Sequence, residues 1–283
     1  GSWETQGGIG QLTLSRQLIQ ELRQTFDTTD KAKADRGGVN VKSKRAGKLK
    51  DLVLAADWHF RFAGTLEGQA TVKRISGDVV VPGDPPYALG LQDLILNLKA
   101  SKAGAVSRLN VDLKMNTARR GQIAATGSTL LRTTPQGQLN YDPKEPLDLT
   151  LRADIADIAW LSRFIGDSTD LGGSLHADVQ AKRAANGAWA TAGVINGKNI
   201  KFVRLDDGVR LFEGTLEAHL ANERLILDKL SFPARLRVDP KEWRTNEWVH
   251  TSPDAKDGHL SLSGDWDLLN SAGVVNIDLY RYP

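Results

Sequence analysis

The chain has 283 residues, with 37 Lys and Arg against 34 Asp and Glu, and no cysteine. The missing cysteine excludes disulfide scaffolds, thiolate metal sites and a cysteine nucleophile. No uninterrupted run of apolar residues is long enough to span a bilayer as a helix, and 40% hydrophobic with 25% charged residues is the composition of an ordered protein.

Gly1-Ser2 reads as a vector-derived dipeptide, and without an initiator Met the chain is expected to be a piece of a longer one. Leu18, Leu22 and Phe26 are spaced four apart, which predicts an amphipathic helix near 15–26 with Ser15 as its N-cap. Residues 31–50 follow with eight basic residues and one acid, Asp35, so this segment carries +7 and the rest of the chain −4. It has no aromatic residue and contains Gly37-Gly38. It reads as a solvated loop, with a nucleic-acid or anionic-lipid contact as the alternative.

A period of two dominates the remainder. Leu94, Leu96 and Leu98 share one face against Asp93, Ile95, Asn97 and Lys99. Leu109, Val111 and Leu113 alternate with Asn110, Asp112 and Lys114. The pattern returns at Leu147, Leu149 and Leu151, at Leu225 and Leu227 around Ile226, and at Leu260 and Leu262. Strands with one apolar and one wet face pair antiparallel far more often than parallel. Turn signals recur between them at 82–86, 102–104, 135–137, Asn186-Gly187, Asn196-Gly197, 206–208 and Asp257-Gly258. Two segments depart from the rhythm. Ile155, Ile158, Leu161 and Ile165 predict a second short helix near 155–165, with Asp154 and Asp157 at its start and Gly166 as its stop. Residues 233–258 are polar, carry Trp243 and Trp248, and read as a long excursion in which Asp239-Pro240 opens a short helix.

The order of these features repeats. Leu12-Thr13-Leu14 matches Leu149-Thr150-Leu151, and residues 121–125 match 258–262. Between them, 64–68 match 173–177, and 94–96 match 214–216. This divides the chain into a first β-unit, 3–146, with the basic insertion near 28–50, and a second, 147–283, with the excursion near 233–258. Units that cannot close their own sheet stack into elongated arrays.

Catalytic signatures are missing. The sequence has no phosphate-binding glycine loop, no H-E-x-x-H and no G-x-S-x-G. His59 reads as a strand residue, and Asp154 and Asp157 as helix-capping carboxylates. His176 and His219 sit in corresponding sheet regions of the second unit and could approach each other, but no metal site is expected there. Trp160 and Phe164 read as core. The expectation is a non-enzymatic chain with no cofactor, no metal and no nucleic-acid partner.

What remains is the apolar face itself, with only two short helices to cover it. Either the sheet packs on itself as a sandwich or it stays open as a trough. An exposed apolar strip of that size calls for a ligand, and an acyl chain of about 16 carbons, costing on the order of 12 kcal/mol in water, suits it. The inner wall is expected to comprise Leu94, Leu96, Leu98, Ile123, Leu149, Leu151, Leu211, Leu216, Leu225, Leu227, Leu260 and Leu262. An error of one residue would turn any of them to the other face.

The run Leu149-Thr150-Leu151-Arg152-Ala153-Asp154-Ile155-Ala156-Asp157-Ile158-Ala159-Trp160-Leu161, followed by Leu171-Gly172-Gly173-Ser174-Leu175-His176-Ala177-Asp178, resembles the TamB family. So do Asp207-Gly208-Val209-Arg210-Leu211-Phe212-Glu213-Gly214-Thr215-Leu216 and, later, residues 225–232 and 258–264. The likeness covers 147–270 well and 10–130 more weakly, and order and spacing carry it. It implies a mainly β fold: an elongated, mostly antiparallel sheet folded into an open, taco-like trough with an apolar interior and two short helices. It also implies a place in the periplasm as part of an inner-membrane-anchored protein. Two roles come with the family. One is passage of phospholipid acyl chains between the membranes, as in AsmA-like, bridge-type lipid transfer proteins. The other is outer-membrane protein assembly with the TamA barrel through client β-strands. A further expectation concerns the basic segment: trypsin should cut first within 28–50 if its backbone is unpaired, and protection there in the free protein would overturn the loop reading.

Overall fold

Segments that alternate apolar and polar residues have one side to bury and one to keep wet, and the extended strand separates the two. The computed structural model describes residues 2–14, 51–81, 86–133, 139–140, 144–166, 168–233 and 258–280. Strands take 78% of these and helix 3%. In chain order they are β1 (Ser2–Leu14), β2 (Leu52–Ala63), β3 (Leu66–Ser76), β4 (Val80–Val81), β5 (Tyr87–Ala88), β6 (Leu91–Ala103), β7 (Val106–Thr117) and β8 (Gly121–Thr133). Then come β9 (Leu139–Asn140), β10 (Leu147–Ile155), β11 (Thr169–Arg183), β12 (Trp189–Arg204), β13 (Val209–Ala221), β14 (Arg224–Pro233), β15 (His259–Asp267) and β16 (Ala272–Tyr280). The expected helix at 15–26, the basic segment near 28–50, and Trp243, Trp248 and Asp239-Pro240 of the excursion lie outside the described residues.

One antiparallel sheet of 14 strands runs β1-β2-β3-β6-β7-β8-β10-β11-β12-β13-β14-β15-β16, with β9 beside β8, while β4 and β5 pair separately. Each strand of the path follows its predecessor, and the sheet does not close into a barrel. It passes from the first unit to the second without a break, because β8 pairs with β10 from Gly121↔Ile155 to Thr129↔Leu147. By strand order β1, β2, β3, β6, β7 and β8 answer to β10, β11, β12, β13, β14 and β15. The match of 64–68 with 173–177 is therefore not structural: Gly64 lies in the β2–β3 hairpin, and Gly173 lies inside β11.

Two other expectations are corrected. The second helix does not start at 155. β10 continues through Ile155, and only a 3₁₀ turn, Ala159–Leu161, and one α turn, Ser162–Ile165, follow. Asp154 is thus an outward strand residue and no helix cap, because His176 and Gln122 of the flanking strands hold its carboxylate. Asn196-Gly197 is not a hairpin either. It lies within β12 and opens a bulge, at which Asn199 takes φ 52°. A hairpin without a glycine signal joins β13 to β14, with Asn222 at φ 48° and Glu223 at φ 69°, the mirror-image turn that suits strand twist.

The sheet curls toward its apolar face. Two strands on either side of a third should lie roughly 10 Å apart. Yet the Leu66 N–H of β3 donates directly to Ser107 Oγ of β7 at 2.6 Å, across β6. Ser107 is fully buried, and Phe62, Leu66 and Ala100 form a cluster against which Phe60 and Leu131 pack. Glycines let large side chains lie flat along the wall. A Cβ on Gly214 would meet the Phe232 ring at 2.4 Å, one on Gly7 would meet Trp58 at 2.5 Å, and one on Gly273 would meet Trp266 at 2.8 Å. Gly214→Ala should therefore destabilise the protein by about 1–3 kcal/mol through overpacking, measured by urea denaturation, and Phe232→Leu in the same background should recover part of it. An unchanged midpoint for the alanine variant would show that the ring is free to move.

Candidate functional site

In an antiparallel ladder, residues directly opposite one another send their side chains to the same face. The register therefore assigns the faces. One row reads Val72, Leu96, Leu113, Ala125, Leu151, Val179, Gly193, Leu220, Leu225 and Trp266. The next holds Leu94, Met115, Ile123, Ala153, Ala177, Ile195, Ala218, Leu227, Gly264 and Val275. Leu98 and Leu149 belong to a row with Val111 and Gly127. Leu216 and Leu262 belong to one with Leu230 and Ile277, and Leu260 lies opposite Phe232 and Leu279.

These rows set eleven of the twelve expected wall residues on one face, and the twelfth joins them through bulges. The twelfth, Leu211, pairs with Phe202 and packs into the cluster of Ile155, Ile158, Ile200 and Phe232. Strict alternation would put Leu211 and Leu216 on opposite faces. Bulges prevent this. One extra residue between Leu211 and Gly214, where Glu213 takes φ 56°, flips the parity of β13. Extra residues between Gly197 and Ile200 in β12, and between Leu227 and Leu230 in β14, do the same. Each bulge keeps the apolar residues inward and adds local twist.

None of the twelve is fully buried, and Leu149 and Leu151 are 40% and 38% exposed. Among the described residues no second large sheet packs on the face; only residues 156–161 and the stretch after β5 cross part of it, so most of it is a half-open wall and not the inside of a sandwich. A cavity of about 250 Å³ lies against it, lined by Leu96, Leu109, Val111, Leu113, Leu147 and Leu149 among others. Aromatic side chains absent from the expected list extend the wall at its β1 edge: Trp58, Phe60 and Phe62 alternate along β2, and Trp3 stacks on Phe62 at 5.6 Å. Their period of two was present in the sequence. Trp160 is half-buried on the core, as expected, but Phe164 is 64% exposed.

The other face is a lattice of cross-strand polar pairs. His59 meets Glu4 at 2.6 Å, His219 meets Asp228 at 2.7 Å, His259 meets Asp278 at 3.2 Å, and Arg224 donates to Asp265 at 2.6 Å. His176 and His219 are separated by β12, and each holds its own carboxylate, Asp154 and Asp228. No cluster of three metal-ligating side chains occurs among the described residues. Two larger hollows, about 510 and 560 Å³, carry Arg108, Asp148, Lys182, Asn97, Lys99 and Asp112. The second, with Asn97, Lys99 and Asp112, lies on the wet face, whereas Leu130, Leu147 and Trp189 also line the first. Among the described residues no helix is long and apolar enough to cross a membrane.

No family model, curated protein or solved structure matches the chain.

The His176 hydrogen bond, at 2.5 Å, holds the Asp154 carboxyl below the ordinary aspartate range, helped by Gln122. A depressed carboxyl stabilises the fold above its unfolded pKa, and that contribution fades as pH falls through the folded value. The loss therefore belongs below about pH 4. His176→Ala should move the Asp154 titration, followed by NMR, back up toward that of a free aspartate. An unmoved titration would assign the shift to another group.

Proposed function

We propose that this chain is a periplasmic segment of a TamB-like, bridge-type lipid transfer protein, whose trough carries phospholipid acyl chains between the inner and outer membranes. The observation that carries this reading is the continuous apolar face, followed strand by strand to β16 and left half-open except where Leu89 and Trp160 lie over Ile123. An acyl chain on such a wall trades water for aliphatic side chains at roughly 0.8 kcal/mol per methylene. Because each row continues onto the next strand, a tail that slides across the sheet keeps that gain. In this reading the chemistry is not enzymatic, and the membrane anchor belongs to another part of the protein.

A second reading has its own support. Every residue of β16 is exposed, and its sequence Ala-Gly-Val-Val-Asn-Ile-Asp-Leu-Tyr contains neither the lysine nor the proline that usually guards an edge. Such an edge suits addition of a client strand, the step expected of outer-membrane protein assembly with a TamA-like barrel.

Native mass spectrometry separates the two. Purified protein should carry phospholipid-derived extra mass. Leu262→Arg, on a half-open wall, should stay folded and lose that mass, because water reaches the new charge. In a sealed core the same charge would cost several kcal/mol and the fold with it. Asn276→Pro, on the wet face of the edge strand opposite Ser263, should block strand addition at β16 and leave lipid binding intact. A folded Leu262→Arg protein with full lipid mass would reject the conduit at this position.

A further inference from the structure

The connection from β10 to β11 turns back over the apolar wall. Trp160 and Leu89 lie over Met115, Ile123 and Ile155, leaving only about 40 Å³ between them. Two segments outside the main sheet therefore roof the same rows: 156–161, and the stretch after β5. Arg120 ties them together. Its guanidinium pairs with Asp157 and lies 4.7 Å from the centre of the Tyr87 ring. Asp157 also accepts the Ala159 N–H at 2.9 Å, which fixes the turn that presents Trp160. Farther along the same strands the wall is open, with about 250 Å³ against Leu113 and Leu149.

Behind this tie the Ala156 and Ile158 N–H groups donate to the Arg120 and Gly173 carbonyls at 2.8 and 3.0 Å and Ile158 is buried, so these residues are the fixed base and 159–161 the part free to lift. The Arg120 and Asp157 side chains are 27% and 31% exposed, so water competes for both. Closure also leaves the Tyr87 hydroxyl buried without a hydrogen-bond partner among the described residues, an unfavourable state that opening relieves.

We propose that residues 159–161, carrying Trp160, form a strap, latched by Arg120, Asp157 and Tyr87, that closes the trough over Ile123 and lifts to admit an acyl chain there. Trp160 then sets the usable width of the trough. The ligand in this inference rests on the lipid reading, but movement of the strap is measurable without lipid.

The chain has no cysteine, so Ile123→Cys and Leu149→Cys are clean reporters of access. With a small maleimide, position 123 should label about tenfold more slowly than position 149, as expected of a site reached by local opening. Asp157→Asn, Arg120→Gln and Trp160→Ala should each speed labelling at 123 by about fivefold or more and leave 149 within about twofold. Equal rates at the two positions in the otherwise unaltered chain would overturn the strap. So would latch variants that leave 123 unchanged, or that speed both positions alike through general loosening. Palmitate should slow labelling at 149 in every background, and at 123 only once the latch is broken. If palmitate protects neither position while the latch variants still expose 123, the strap stands and the lipid reading falls.

Discussion

An antiparallel ladder leaves each residue no choice of side once its partner is fixed. That constraint runs through the whole sheet. Thirteen strands follow one another in sequence order, and each takes its face from the strand before it. A single slip would turn every later apolar residue outward. The bulges in β12, β13 and β14 show how parity is repaired. Where the apolar positions change from odd to even, at Gly197 to Ile200, Leu211 to Gly214 and Leu227 to Leu230, the ladder absorbs one extra residue. The curl of the sheet, the flat-lying rings over glycines and the half-open wall all presuppose that shared face.

The wet face answers a different requirement. A one-layer sheet must stay soluble on the side that never packs, and the cross-strand pairs do this without burying charge. Histidine recurs in this role at His59, His176, His219 and His259, each against a carboxylate on an adjacent strand. Exposed pairs of this kind contribute little stability. They favour one register over its neighbours, because a shift would set charge against aliphatic side chains.

Much of this was legible in the residues. Period-two alternation named the strands and their faces. The twelve aliphatic wall positions fall together because leucine recurs on the side that does not meet water. What was not legible depends on context. Helical spacing at Ile155, Ile158, Leu161 and Ile165 mixes the last inward residue of β10 with a separate turn, so the spacing is real and the helix is short. Asn196-Gly197 carries a strong hairpin signal that long-range pairing overrides. Asn222-Glu223 makes a tight hairpin with a residue pair that few rules would select. The tie between Arg120, Asp157 and Tyr87 joins positions far apart in sequence, and no local pattern announces it.

The strictly sequential strand path also determines how such a sheet comes apart. Apart from the direct Leu66–Ser107 contact of β3 with β7, each strand of the path hydrogen-bonds to the one before and the one after it, so stability is close to a sum of nearest-neighbour terms, as in a linear array of coupled units. Cooperativity then has a finite length. Fraying that begins at β16 can stop several strands in, leaving the β2–β8 portion intact, and the protein populates partly zipped states where a compact globule would show only folded and unfolded chains.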